Sequence, residues 1–246
     1  MHGVQQRLPS LRGEPIAFAH RGARSVLPDN TLESFTLALR LGANGLETDI
    51  WCTSDGQVVL DHDGVVRRFG RQRPISNVAR NQLPAYIPSL SELFDTCGVD
   101  FDLSIDVKDE KAFDSIVDIA RENNFDLNRL WLCHHKIDTT CAMRKRFDDV
   151  RFVDSSRLSR IKEGVERRVA TLSQHGVDVL NMHITDWNGG FVTLAHKFDV
   201  LAFGWDLQFD YVIERGLRLG LDAVYSDHVD VLVDMYSAEI GHAPRR

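Results

Sequence analysis

Residues 16–51 read IAFAHRGARSVLPDNTLESFTLALRLGANGLETDIW, a short apolar strand that leads through a loop and a helix into a second strand. The helical part, residues 31–41, places Leu32, Phe35 and Leu39 on one stripe. That spacing is typical of an amphipathic helix. The residues just before it, Asn30-x-x-Glu33, resemble a capping box with Asn as the cap. The order of strand, helix and strand is typical of an α/β fold.

The same alternation continues along the chain. A second capping box, Ser89-x-x-Glu92, begins a helix that Gly98 is placed to end. The strand candidates are IAFAH (16–20), GLETDIW (45–51), FDLSIDVK (101–108), RLWLC (129–133), VRFVD (150–154), VDVLNMH (177–183), VLAFGW (200–205) and DAVYS (222–226).

Eight strands that alternate with helices over 246 residues predict a (β/α)8 TIM barrel, formed as a single domain over residues 1–246. The alternative is an open doubly wound sheet. It is weakened because no Gly-rich phosphate-binding loop follows the first strand.

One segment interrupts the alternation after the second strand. In TSDGQVVLDHD (53–63), Asp55-Gly56 is a strong hairpin-turn signal. The following residues to Pro88 are rich in Arg and predicted to be loop-like. Residues 53–88 are therefore predicted to be an excursion from the barrel, with a short strand that ends at Asp61-His62-Asp63.

Composition excludes several classes of function. A net charge of −7 and a pI near 5.8 argue against nucleic acid as a partner. No apolar run approaches the roughly 20 residues of a membrane span. The N-terminal stretch has no apolar signal region, so a cytoplasmic location is expected. The cysteines lack metal-ligand spacing and are predicted to be free thiols; they are Cys52, Cys97, Cys133 and Cys141.

Strand alternation predicts a charged barrel interior. In GLETDIW, Glu47 and Asp49 share one face, and in FDLSIDVK, Asp106 and Lys108 share the face opposite the apolar residues. These charges lie late in their strands, at the end where barrel enzymes keep their active sites. Three unpaired carboxylates there would repel one another, and Mg²⁺ or Ca²⁺ would relieve this. The alternative is an ion-pair cluster with Lys108 or Arg21 and no metal.

Two of the ten histidines stand out. His20 ends the first strand, and His62 follows the short strand of the excursion between two aspartates. Two imidazoles, with ordinary pKa values near 6.5, can hold opposite protonation states near neutral pH. They are therefore candidates for a general base and a general acid.

Other polar and aromatic residues end strands on the same face. Trp205 is a candidate wall for the organic part of a substrate, although it could equally be core. The remaining ones are given no role; they are His134, His135, Asn181 and His183.

These motifs together resemble the glycerophosphodiester phosphodiesterase family. The resemblance lies in HRG, the Pro-Asp-Asn-Thr loop, Glu-x-Asp, TSDGQVVLDHD, IPSLSELF and DLSIDVK. It is dense from about residue 16 to residue 108 and thins afterwards to isolated points, such as Trp205 and Ser226-Asp227.

The resemblance implies a (β/α)8 barrel that hydrolyses phosphodiesters with a divalent metal. Matched by position, the residues are implied to act as follows: Glu47, Asp49 and Asp106 hold the metal, His20 and His62 form the acid/base pair, and Arg21 and Lys108 bind phosphate. It further implies attack by a glycerol hydroxyl to give a cyclic phosphate that water opens. We favour His20 as base and His62 as acid, an order that the sequence leaves open.

The chain departs from the family pattern at several points. Asp106 stands where the family usually has Glu, which shortens this carboxylate by one methylene. Cys133-His134-His135, Trp205-Asp206 and Ser226-Asp227-His228-Val229 replace the usual endings of later strands. Small glycerophosphodiesters such as glycerophosphocholine are the expected substrates. Lysophospholipids, cleaved in a lysophospholipase D manner, are the alternative, and a barrel that binds metal or phosphate ligands without catalysis is a third possibility.

Overall fold

The computed structural model describes residues 7–68 and 70–246. The strands are β1 (Ile16–His20), β2 (Gly45–Cys52), β3 (Val58–Leu60), β4 (Val65–Arg68), β5 (Arg71–Pro74), β6 (Asp102–Val107), β7 (Leu130–His134), β8 (Arg151–Ser156), β9 (Val179–His183), β10 (Leu201–Trp205) and β11 (Ala223–Ser226). The α-helices are α1 (Leu32–Arg40), α2 (Leu90–Cys97), α3 (Ala112–Glu122), α4 (Ile137–Arg144), α5 (Val165–His175), α6 (Gly189–Lys197), α7 (Asp210–Arg218) and α8 (Val229–Ile240).

Eight parallel strands close into a barrel. They follow the order β1, β2, β6, β7, β8, β9, β10 and β11, and β1 pairs with both β2 and β11. An α-helix lies between each barrel strand and the next along the chain. The predicted (β/α)8 barrel is confirmed, and the doubly wound alternative is wrong. The boundary of a single domain over residues 1–246 stays a prediction, and residues 1–6 lie outside the described part.

Strand alternation divides the apolar side chains into two cores. In β6, Leu103, Ile105 and Val107 face outward and pack in the core shared with the helices. Ser104 faces inward, as predicted, and its Oγ lies 3.0 Å from the Tyr225 hydroxyl. The barrel interior is filled by a separate apolar cluster that includes Ile16, Phe18, Trp131, Val153, Val179, Phe203 and Tyr225. This filling leaves polar side chains only a shallow space at the mouth of the barrel.

The excursion after β2 is more regular than predicted. Its first turn is the expected hairpin at Asp55-Gly56, and β3 runs antiparallel to β2 but ends already at Leu60. The residues expected to be loop-like contain the β4–β5 hairpin and two 3-10 turns. They are ordered by a small apolar core of their own, formed by Val59, Val66, Ile75, Val78, Leu83 and Ile87. Apolar residues spaced too widely for one element still meet when the segment folds back on itself.

Of the two predicted helix caps, one is confirmed and one is wrong. Ser89 and Glu92 form the expected capping box, and Gly98 is the C-cap of α2. The expected Asn30 cap is wrong, because Thr31 caps α1 by accepting a hydrogen bond from Ser34 N. Asn30 takes a left-handed φ of 53°. Its side chain instead donates to Asp49 Oδ2 and accepts from the Thr48 hydroxyl.

The structure also bears on the predictions about the cysteines and about membrane-spanning helices. Cys52, Cys97, Cys133 and Cys141 are all free, as predicted. Within the described ranges, no helix is long and apolar enough to cross a membrane.

Candidate active site

A cavity of about 380 Å³ opens at the carboxyl ends of the barrel strands. This is the face on which barrel enzymes place their catalytic residues. Its lining comes from most of the barrel strands and from the excursion. The lining residues are His20, Arg21, Arg24, Glu47, Asp49, His62, Ser104, Asp106, Lys108, Cys133, Ser155, Asn181, Trp205, Asp206, Gln208, Tyr225 and Asp227.

The turn after β1 brings Arg21 back over β2. Arg21 and Gly22 both have positive φ, 56° and 81°. A Cβ on Gly22 would lie 2.4 Å from Ser34 Oγ, so only glycine fits here. The turn lets Arg21 N donate to Glu47 Oε2 at 3.0 Å and places Arg21 Nε 3.1 Å from Asp49 Oδ2.

Strand register gathers the charged residues into one cluster. His20 is the register partner of Glu47 between β1 and β2, and Asp49 is the partner of Asp106 between β2 and β6. Lys108 Nζ lies 3.1 Å from Asp49 Oδ1 and also pairs with Asp106. The predicted inward carboxylates and ammonium therefore lie together on one side of the cavity.

Burial and mutual charge shift the protonation equilibria in this cluster. Burial raises the pKa of Glu47 to about 7; His20 opposes the rise, and the charge of Asp49 adds to it. Burial lowers the pKa of Lys108, but the carboxylates of Asp106 and Asp49 more than offset this, so its pKa is raised. Lys108 is therefore a permanent cation, whereas burial favours the protonated form of Glu47.

Whether Glu47, Asp49 and Asp106 could hold a metal ion depends on their spacing and on the donor atoms that they offer. Among residues 7–68 and 70–246, no three His, Cys, Asp or Glu side chains are gathered closely enough to hold an ion as they stand. Asp49 and Asp106 instead pair with Lys108 and Arg21, the arrangement that the sequence left open. Three carboxylates nevertheless offer only oxygen donors, and a hard divalent cation would relieve the repulsion that helps to raise the pKa of Glu47. The donor set fits such an ion.

Both candidate histidines line the cavity, and each has a carboxylate at Nδ1. His20 Nδ1 lies 2.6 Å from Asp227 Oδ1, and His62 Nδ1 lies 2.8 Å from Asp63 Oδ1. Burial lowers the pKa of His20, but the charge of Glu47 and the hydrogen bond that His20 donates to Asp227 raise it by more, so the net shift is upward. In both rings the carboxylate leaves Nε2 as the nitrogen available for proton transfer.

Trp205 stands on the opposite side of the cavity. Its register partner is His183, whose ring meets it edge-on with centroids 4.6 Å apart. The Arg157 guanidinium lies 5.5 Å from the centre of its ring. His183 and Arg157 thus hold the Trp205 indole from two sides at the mouth of the cavity. This is the position in which the sequence made Trp205 a candidate wall for the organic part of a substrate.

Several strand-end histidines do not reach the cavity. His134 is buried on the outer face of β7 and packs edge-on against Phe113. His135 and His183 also lie outside the cavity lining, and His183 Nε2 lies 2.8 Å from Asp206 Oδ2.

The structure adds site residues that sequence reasoning assigned no role. Asp227 orients His20, and Asn30 Nδ2 donates to Asp49 Oδ2 at 3.2 Å. Ser155 and Asn181 line the wall away from the carboxylates. Asp227 directly follows the last strand, and this position at the mouth of the barrel could have identified it from the sequence. Asn30 could not be identified in this way, because its sequence context resembles a helix cap.

The fold and this charged mouth define a (β/α)8-barrel enzyme site, at which two imidazoles, an arginine and a lysine lie with several carboxylates. Residues 20–231 match the model of the glycerophosphoryl diester phosphodiesterase family. The chain belongs to this family, which is one of phosphoric diester hydrolases.

Individual relatives agree in name. A glycerophosphodiester phosphodiesterase of Caldanaerobacter subterraneus subsp. tengcongensis is 28% identical over 253 residues, covering 89% of this chain and 97% of that protein. A shorter match, 47% identical over 61 residues, is to a protein of Mycobacterium tuberculosis named "Probable glycerophosphodiester phosphodiesterase 1". It covers 25% of this chain and only 21% of that relative.

Solved structures share the fold. The glycerophosphodiester phosphodiesterase of Thermotoga maritima has a TM-score of 0.77 and 23% identity, covering 90% of this chain and 98% of that one. An Oleispira antarctica phosphodiesterase, solved in complex with the product sn-glycerol-3-phosphate, also has a TM-score of 0.77, with 19% identity and coverage of 90% and 96%.

Proposed function

We propose that the protein is a metal-dependent phosphodiesterase that hydrolyses glycerophosphodiesters to sn-glycerol 3-phosphate and an alcohol. The observation that carries this proposal is the convergence of His20, His62, Arg21 and Lys108 on one cavity, whose lining also includes Glu47, Asp49 and Asp106. The product bound to the Oleispira antarctica phosphodiesterase is the product expected here.

Positive charge at the phosphate is the first requirement of this chemistry. Arg21 and Lys108 lie beside the carboxylates and are placed to bind phosphoryl oxygens that enter the cavity. Glu47, Asp49 and Asp106 would hold one Mg²⁺ or Ca²⁺. Such an ion supplies neutralisation of charge on the phosphoryl group.

The two histidines supply the proton transfers. His20 accepts the proton of the glycerol hydroxyl next to the phosphate at Nε2, because Asp227 holds its Nδ1–H. That oxygen attacks phosphorus to give a cyclic phosphate, while His62, held by Asp63, protonates the departing alcohol oxygen. Water then opens the ring with the proton roles reversed, which returns both histidines to their starting states.

A substrate panel tests the proposal and its alternatives. Purified protein is assayed with glycerophosphocholine and with 1-acyl lysophosphatidylcholine, first as prepared, then after EDTA, then with added Mg²⁺ or Ca²⁺. We expect hydrolysis of glycerophosphocholine that EDTA abolishes and the metals restore. If EDTA did not affect turnover, the reaction would not depend on a metal ion. Preference for the lysolipid would favour the lysophospholipase D activity, and binding without turnover would identify a non-catalytic barrel.

A cytoplasmic location belongs to the same proposal. Its support is that Cys52, Cys97, Cys133 and Cys141 are free thiols, as expected in a reducing compartment. Fractionation of the source cells followed by immunoblotting tests it.

A further inference from the structure

The wall of the cavity farthest from the carboxylates contains one amide with an unused hydrogen-bonding atom. Asn181 is 6% exposed. Its Nδ2 donates to Ser155 Oγ at 3.2 Å, while its Oδ1 is buried and has no partner among the described residues. A buried polar atom left without a partner destabilises the fold, so such an atom calls for an explanation.

The strand register explains how this pair forms. Ser155 and Asn181 are register partners between β8 and β9, and both follow inward-facing valines, Val153 and Val179. The two side chains therefore stand directly above the apolar filling of the barrel and line the cavity. The unused acceptor therefore belongs to a side chain at the edge of the cavity.

The position of the pair across the barrel decides which part of a substrate it can meet. In the order of the closed barrel, β9 lies four strands from β2 in either direction, so Asn181 faces Glu47 and Asp49 across the cavity. A phosphate held by Arg21 and Lys108 lies on the side of β2 and β6. The part of a bound molecule that extends from the phosphate toward β8 and β9 then meets the neutral side chains of Ser155 and Asn181.

We propose that Asn181 and Ser155 bind the terminal hydroxyl of the substrate's glycerol, the one that neither carries the phosphate nor attacks it. This inference rests on the proposed function. An amide and a hydroxyl form a neutral pair that can both donate and accept, as can a hydroxyl group of the ligand. The terminal hydroxyl would donate to Asn181 Oδ1, and the buried acceptor would be satisfied.

The assignment predicts specificity as well as binding. In 1-acyl lysophospholipids the terminal oxygen is esterified and has no proton to donate, so Asn181 Oδ1 would stay unpaired beneath a bulky chain. Sites built to hydrogen-bond a hydroxyl reject analogues that lack it much more strongly than apolar pockets reject a missing methylene. Asn181 and Ser155 therefore select glycerophosphodiesters whose glycerol is not acylated.

The test uses glycerophosphocholine and its analogue in which propane-1,2-diol replaces glycerol, which keeps the attacking hydroxyl and lacks the terminal one. We expect the protein to favour glycerophosphocholine by about 100-fold or more in kcat/KM. In Asn181→Leu this ratio falls below about 10 because the buried acceptor has been removed. Ser155→Ala reduces the ratio less. Ser156→Ala is the matched control, since Ser156 is the next residue on β8 and lies outside the cavity lining.

The outcomes separate this inference from the proposed function. If wild-type protein hydrolyses both esters within about threefold of each other, or if Ser155→Ala changes the ratio no more than Ser156→Ala, the inference is wrong although the enzyme is active. If neither ester is hydrolysed, the proposed function fails. Calorimetry with glycerol 3-phosphate and propane-1,2-diol 1-phosphate then decides whether the hydroxyl is still recognised: tighter binding of the first supports the inference, and equal binding overturns it. The same pair of ligands replaces kinetics if Asn181→Leu does not fold.

Discussion

The two sides of the cavity differ in how their polar groups are satisfied. On the side of β1, β2 and β6, which we call the ionic wall, Arg21 and Lys108 form ion pairs with Asp49 and Asp106. On the side of β8 and β9, which we call the neutral wall, the amide of Asn181 keeps a free acceptor. Groups already fixed in place are suited to stabilising charge during a reaction. Groups left unsatisfied are suited to recognising a ligand, so the ionic wall is expected to govern kcat and the neutral wall to govern specificity.

The largest expected effect comes from removing the acid next to the ionic wall. His62→Ala should lower kcat by about 10²- to 10⁴-fold, the usual contribution of a general acid or base. Since His62 is partly exposed, the unfolding midpoint in urea should stay unchanged. His135→Ala provides the control, because His135 is exposed and outside the cavity. A near-wild-type rate in His62→Ala would remove this residue from the mechanism.

A smaller effect is expected from two carboxylate–imidazole pairs, of which only one contains a proposed catalytic histidine. Asp227 holds His20, and Asp206 holds His183 with Nε2 2.8 Å from its Oδ2. Asp227→Asn should lower kcat by about 10- to 100-fold, because the tautomer and orientation of a reacting imidazole are disturbed. Asp206→Asn should change kcat by less than about threefold. Equal losses in steady-state assays of the two variants would show that Asp227 has no special role in orienting His20.

A more modest change is expected from lengthening the carboxylate that departs from the family pattern. Asp106→Glu adds one methylene beside Lys108 and changes the distance from this carboxylate to an ion held with Glu47 and Asp49. We expect the metal concentration that gives half-maximal activity to change by roughly tenfold or less. Titration of EDTA-treated protein with Mg²⁺ and Ca²⁺ measures it. An unchanged midpoint and rate would mean that Asp106 is no adaptation of metal binding.

The smallest effect concerns a histidine that faces away from both walls. Burial lowers the pKa of His134, and the neighbouring His135 lowers it further. Because the folded-state pKa lies below the ordinary 6.5, the unfolded chain binds the proton more readily, and stability is lost as the pH falls below about 6.5.

His134→Gln should therefore flatten the fall in the free energy of unfolding between about pH 7.5 and pH 5.5, by the order of 1 kcal/mol or less. Urea denaturation at the two pH values measures the slope, and kcat should stay that of the wild type. A loss of activity without a change in slope would place His134 in the site after all.

The alternation of residues along the strands predicted the ionic wall well. A period of two in GLETDIW and FDLSIDVK puts Glu47, Asp49 and Asp106 inside the barrel, and the structure places them there. The neutral wall could not be predicted in the same way, because Ser155 and Asn181 meet only through the register of β8 and β9. Asn30 was misjudged for a related reason: a local capping pattern competes with a tertiary partner, and here the bond to Asp49 takes the side chain.

The separate apolar core of the excursion has a consequence for how the protein fails when heated. His20 belongs to the barrel, whereas His62 lies between β3 and the segment ordered by Val59, Val66 and Ile75. Small clusters outside a main core open locally at lower free energy than the whole molecule unfolds. If the excursion alone opened, His62, the proposed acid, would leave the site, while His20, the proposed base, would stay in place. Inactivation on warming would then precede the loss of helical circular dichroism, and reclosing on cooling would restore the rate.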